Sequence, residues 1–90
     1  MDHVILVENV YGNANPSTIK NRFSCFGEVC SVGLHHQKFS QGVKNGYAFV
    51  KYQQAESARK AVDSSGVIKV GEYRVDVCML ADAVKEHPFF

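Results

Sequence analysis

The spacing of apolar positions changes several times along this 90-residue chain, and each change predicts an element. His3-Val4-Ile5-Leu6-Val7-Glu8-Asn9-Val10 is short and β-branched, which predicts a buried strand, and Gly12-Asn13-Ala14-Asn15-Pro16 breaks it with turn formers. Asn15 suits a helix cap and Pro16 a first helical position. Ile19, Phe23 and Phe26 then recur at i, i+4 and i+7 on one face before Gly27. An amphipathic helix of about three turns is expected there. Val29, Ser31, Val32, Gly33 and Leu34 alternate as a second strand, with Val32 and Leu34 on one face. His35 to Asn45, with Ser40-Gln41-Gly42 inside it, reads as a polar loop carrying Phe39.

Gly46-Tyr47-Ala48-Phe49-Val50-Lys51-Tyr52 is the clearest strand, dense in aromatic and β-branched residues and entered through Asn45-Gly46. From Gln54 to Ser64, Ala55, Ala58, Ala61 and Val62 fall at helical spacing among charges until Gly66, a small-residue face suited to close packing on a sheet. Tyr73-Arg74-Val75-Asp76-Val77-Cys78-Met79 alternates again and predicts a fourth strand with Val75 and Val77 inward. Leu80 to Glu86 has helix-forming composition ahead of His87-Pro88, so the tail, residues 82–90, either lies across the sheet as a short helix or extends away.

The element order is thus β-α-β-β-α-β. With right-handed crossovers it gives an α+β, ferredoxin-like split-βαβ sandwich over residues 3–81: a four-stranded antiparallel sheet with two helices on one face. Strand alternation turns Val7, Val32, Ala48, Val50, Val75 and Val77 toward the helices. It places Leu6, Glu8, Ser31, Gly33, Asn45, Tyr47, Phe49, Lys51, Arg74, Asp76 and Cys78 on the open face.

Composition narrows what that face does. Ten Lys and Arg against nine Asp and Glu, a formal charge of +1, exclude a polybasic protein held by bulk electrostatics, so any nucleic-acid contact is local. No apolar run reaches the roughly 18–20 residues of a membrane span and the start lacks a signal-peptide pattern, so an intracellular protein of the nucleus or cytoplasm, without a membrane partner, is expected. Cys25, Cys30 and Cys78 form no CxxC pair. Cys25 and Cys30 read as small buried core thiols and Cys78 as the exposed one. Adjacent His35 and His36 point to opposite sides of an extended strand and do not jointly grip a metal. Glu8 and Asp76 share the open face, but no anion-cradling Gly-rich loop or nucleophile with a His partner accompanies them. No enzyme, cofactor or small-molecule substrate is expected.

Asn45-Gly46-Tyr47-Ala48-Phe49-Val50-Lys51-Tyr52 resembles the octamer of the RNA recognition motif family, K/R-G-F/Y-G/A-F-V-x-F/Y, at seven of eight positions. Ile5-Leu6-Val7-Glu8-Asn9-Val10 resembles the family's hexamer, and Ile19 to Phe23, Phe26, Gly27 and Val29 its first-helix signature. The resemblance implies single-stranded RNA as partner, with Tyr47 and Phe49 as stacking platforms, Lys51 and Arg74 as flanking contacts and Asn9 as a strand-end polar group. It also implies a module of an RNA-processing or post-transcriptional regulatory protein. Two positions depart from the pattern: Leu6 replaces the hexamer's aromatic, leaving apolar contact in the middle of the platform, and Asn45 replaces a basic residue, for which Lys44 partly substitutes.

Lys38, Lys44 and Lys51 fall between His35 and Tyr52 without an acid, so the loop reads either as a backbone clamp or as an ordinary solvated hairpin. Phe39 either tucks against the sheet edge or offers another stacking surface, and Glu8 and Asp76 accept from base amino groups or pair with Lys51 and Arg74. The alternative reading is a protein–protein interaction module, with a protein partner or a homodimer, using the sheet or helix face.

Overall fold

A computed structural model describes residues 2–11, 14–38, 44–71 and 73–86, and the backbone alone of residues 11, 36–38, 44, 45, 85 and 86. Its elements run β1 (Val4–Tyr11), α1 (Pro16–Phe23) with a 3-10 turn (Ser24–Phe26), β2 (Val29–Lys38), β3 (Lys44–Tyr52) and α2 (Ala55–Asp63). They continue through β4 (Lys69–Val70), β5 (Tyr73–Arg74) and β6 (Asp76–Met79) to α3 (Leu80–Glu86). The main sheet is antiparallel in the order β2-β3-β1-β6, and β4 and β5 pair as a separate ribbon. This is the α+β split-βαβ architecture that the alternating pattern predicts.

The core fills the space between this sheet and the first two helices. Ile5, Val7, Ala48, Val50 and Val77 from the strands meet Ile19 and Phe23 of α1 and Ala58 and Ala61 of α2. Small side chains on α2 let that helix lie close to the strands. Helix α1 begins where Asn15 Oδ1 accepts from the Thr18 amide at 2.9 Å, with Pro16 just inside. It stops sooner than its apolar spacing suggests, because the chain tightens into the 3-10 turn after Phe23 and then reverses at Gly27. Gly27 holds a φ of +149°, and a Cβ there would collide with the Ser57 side chain of α2, so only glycine permits this approach.

Three further differences from the sequence pattern bear on the site. First, β2 and β3 pair through Lys38 and Lys44, so His35 to Lys38 extend a strand rather than open a loop; backbone pairing sustains an edge strand without apolar side chains. Second, the expected last strand is broken. Val75 donates its amide to Ile68 O and accepts from Gly66, while Tyr73 and Arg74 pair with Val70 and Lys69. Only Asp76–Met79 joins β1, and Ser65 Oγ accepts the Val77 amide at 2.8 Å on the outer edge. Third, Cys25 and Cys30 are exposed and Cys78 is half-buried. Cys30 is the extra residue of a bulge between Val29 and Ser31, and Cys25 sits in the 3-10 turn with its thiol on the Arg22 carbonyl.

Candidate nucleic-acid interface

On the face away from α1 and α2, strand register arranges the side chains in rows. His35, Tyr47, Glu8 and Asp76 lie opposite one another across β2, β3, β1 and β6; Gly33, Phe49, Leu6 and Cys78 form the next row, and Ser31, Lys51 and Val4 the third. Tyr47 and Phe49 are half-buried with ring centroids 5.4 Å apart at 81°, an edge-to-face pair. His35 extends it on the other side, its ring 5.3 Å from that of Tyr47 at 78°. Three rings therefore step along β3 and across to β2. Such pairs contribute roughly 0.5–1.5 kcal/mol each beyond their buried area, which fixes the rings before any ligand arrives.

Leu6 is a correction. Its neighbours Ile5 and Val7 enter the core, so Leu6 points to the other face, yet it is 0% exposed. Helix α3 packs on β1 and β6, and its Ala83 is 2% exposed. The helix therefore covers Leu6 and removes it from the accessible platform. An apolar side chain in the place of the usual aromatic suits a position under a helix rather than one in water.

Arg74 is a second correction. It is exposed in the β4–β5 ribbon opposite Lys69 and does not belong to the four-stranded sheet. Among the described residues the ion pair is Lys60–Glu56 on α2, so neither Glu8 nor Asp76 pairs with Lys51 or Arg74. Asp76 instead accepts from Asn9 Nδ2 at 2.6 Å. Asn9 has a left-handed φ of 63° and is the extra residue where the β1–β3 register shifts between Glu8 and Val10. Asparagine tolerates that conformation, and the bulge lets both Glu8 and Val10 keep their faces, Glu8 half-buried on the open side and Val10 in the core.

Lys51 is exposed at the end of the ring ladder, opposite Ser31 and Val4. Lys38, Lys44 and Asn45 are fixed by backbone register, Lys38 opposite Lys44 and Asn45 opposite both Gln37 and Tyr11. Phe39 lies outside the described residues. No group of three or more His, Cys, Asp or Glu side chains among the described residues is placed to hold a metal ion. The residue that reasoning from the pattern missed is His35. Its signal was available: extending the β2 alternation from Ser31 and Gly33 puts it on the open face.

Tyr52, the octamer's last aromatic, points the other way. It is fully buried and donates its hydroxyl to the Phe23 carbonyl at 2.8 Å, tying β3 to the end of α1. Burial foremost, and the Cys25 side chain next, hold its phenol well above the ordinary tyrosine value. The octamer strand is thus anchored through one face and offers its rings on the other.

A four-stranded antiparallel sheet with two helices behind it and neighbouring aromatic rings on the opposite face defines a platform for flat ligands. The chain belongs to the RNA recognition motif family, whose pattern it matches over residues 5–75. It is 34% identical over 58 residues, 64% of its length, to an uncharacterized RNA-binding protein of Schizosaccharomyces pombe, covering 48% of that protein. It is 31% identical over 67 residues, 74% of its length, to the poly(U)-binding-splicing factor PUF60 of Homo sapiens, covering 12% of it. The chain thus spans less than half of these relatives. Its fold matches the structure of the Mip6 RRM3 domain with a TM-score of 0.77 at 22% identity, over 88% of this chain and 93% of that one. No helix among the described residues is long and apolar enough to cross a membrane.

Proposed function

We propose that this domain binds single-stranded RNA by stacking bases on Tyr47 and Phe49. The observation that carries the reading is the edge-to-face pair these two rings form on the face of the sheet away from α1 and α2, in a member of this family. A ring on a rigid strand captures an unstacked base for roughly 1–3 kcal/mol without needing a particular base. Lys51, at the end of the ladder, meets a phosphate, and the strand-end cluster of Glu8, Asn9 and Asp76 offers polar groups to base edges. Lys38, Lys44 and Asn45, brought together by the β2–β3 register, serve as the backbone clamp.

The relatives carry RNA-binding and splicing names, which supports a place in RNA processing or post-transcriptional regulation, in the nucleus or the cytoplasm. The role is binding rather than catalysis, and it is exercised as one module of a larger assembly. Titration with single-stranded RNA, followed residue by residue by NMR, tests the reading. Shifts concentrated on Tyr47, Phe49 and Lys51 support it. Silence there, with shifts on the α1 and α2 surface only, overturns it.

A further inference from the structure

Resting on the RNA-binding reading, we infer that the platform is displaced toward β2, where Gly33 and His35 form a third base position. In the row that crosses the middle of the face, Phe49 has Leu6 on its β1 side and Gly33 on its β2 side. Leu6 is sealed under α3, so a base that spreads beyond Phe49 toward β1 meets a helix. Toward β2 it meets Gly33, which is exposed, and where even a Cβ would touch no described atom within 4 Å.

The surroundings of Gly33 suit a flat aromatic ligand. Phe49 stands directly across from it, and two residues along the same strand on either side are His35 and Ser31. A side-chain-free position between neighbours about 6–7 Å away along its own strand leaves a shallow slot floored by backbone. The His35 ring meets Tyr47 edge-on, which places it against that ring at one end of this slot. Ser31 and Lys51, paired across the strands at the other end, bring a hydroxyl and an ammonium to the slot's polar rim. Strand chemistry offers no reason for glycine here: its φ is not in the left-handed region, and a β-branched residue suits the strand better. The position gives up strand propensity and keeps an open floor beside a ring.

The test uses the 90-residue chain and fluorescein-labelled octamers of U, C, A and G, together with a random-sequence octamer pool. Three variants are compared with wild type: Gly33→Val, which fills the slot; His35→Ala, which removes its wall; and His35→Phe, which keeps a flat ring. Gly33→Val and His35→Ala are expected to weaken binding of the preferred octamer by about fivefold or more, the low end of what losing one base stack costs. His35→Phe restores wild-type affinity. All three retain cooperative unfolding, Gly33→Val at or above the wild-type midpoint because valine favours a strand, and His35→Ala below it by the loss of one ring pair. If wild type binds an octamer and both Gly33→Val and His35→Ala bind it equally well, the third position is overturned while the Tyr47–Phe49 reading stands. If wild type binds none of the RNAs, both readings fall.

Discussion

Tyr52 shows how one residue couples the two sides of the molecule. Its strand neighbours Phe49 and Lys51 face outward, and Tyr52 turns inward to donate to the Phe23 carbonyl. Replacing it with Phe removes that buried hydrogen bond and is expected to cost about 0.5–1.5 kcal/mol, read from denaturant unfolding near neutral pH. The pH dependence follows from the raised phenol. Below its ordinary value of about 10 the tyrosine is protonated folded or unfolded, and its contribution is fully present. Above that, the unfolded chain ionises while the folded one stays protonated, so stability falls as pH rises. The stability gap between wild type and Tyr52→Phe should therefore narrow from about pH 10 upward. A gap that stays constant through that range would mean that the hydroxyl is not held in the folded chain as described. Asn9 makes a comparable point about conformation: a left-handed backbone and a hydrogen bond to Asp76 meet in one residue, and asparagine serves both.

At the scale of elements, α3 decides which part of the sheet is available. Because Leu6 is buried beneath it, Leu6→Tyr overpacks the contact instead of adding a stacking ring. We expect a loss of about 1–3 kcal/mol in stability and faster amide exchange across Leu80–Glu86. Unchanged stability with tighter RNA binding would contradict the placement of α3 over Leu6. The same element marks where the sequence stops being informative. Alternation and helical spacing reveal β1, β3, both packing helices and the order of the fold, because those patterns record burial on one side. The unbroken run Ile5-Leu6-Val7 suits a strand buried on both faces but does not say what covers its middle residue, since a second covering layer is a tertiary event involving residues some 75 positions away. The break at Val75 was hidden for the opposite reason. Val75 is buried and the run from Tyr73 alternates correctly, but its backbone hydrogen bonds go to Gly66 and Ile68, which spacing does not report. Gly33 was legible by alternation alone, and His35 becomes so once β2 is known to run to Lys38, a matter of pairing with β3 rather than of local polarity.

For the whole molecule, a net charge of +1 and a few local lysines set the balance between stacking and electrostatics. With two or three phosphates contacted, the slope of log affinity against log salt should be roughly −1.4 to −2.1, shallow for a nucleic-acid binder. A slope several units steeper would point to a basic surface assembled from more than one copy. The central claim is that bases stack on the rings of β3, and the most direct measurement is single-stranded RNA binding by a Tyr47→Ala, Phe49→Ala double variant, with its unfolding followed in parallel. Both side chains lie on the face away from α1 and α2, outside the cluster of Phe23, Ile5 and Val50 that holds the fold together. The account predicts that binding is abolished while cooperative unfolding is retained. A folded double variant that binds RNA as tightly as wild type would contradict it.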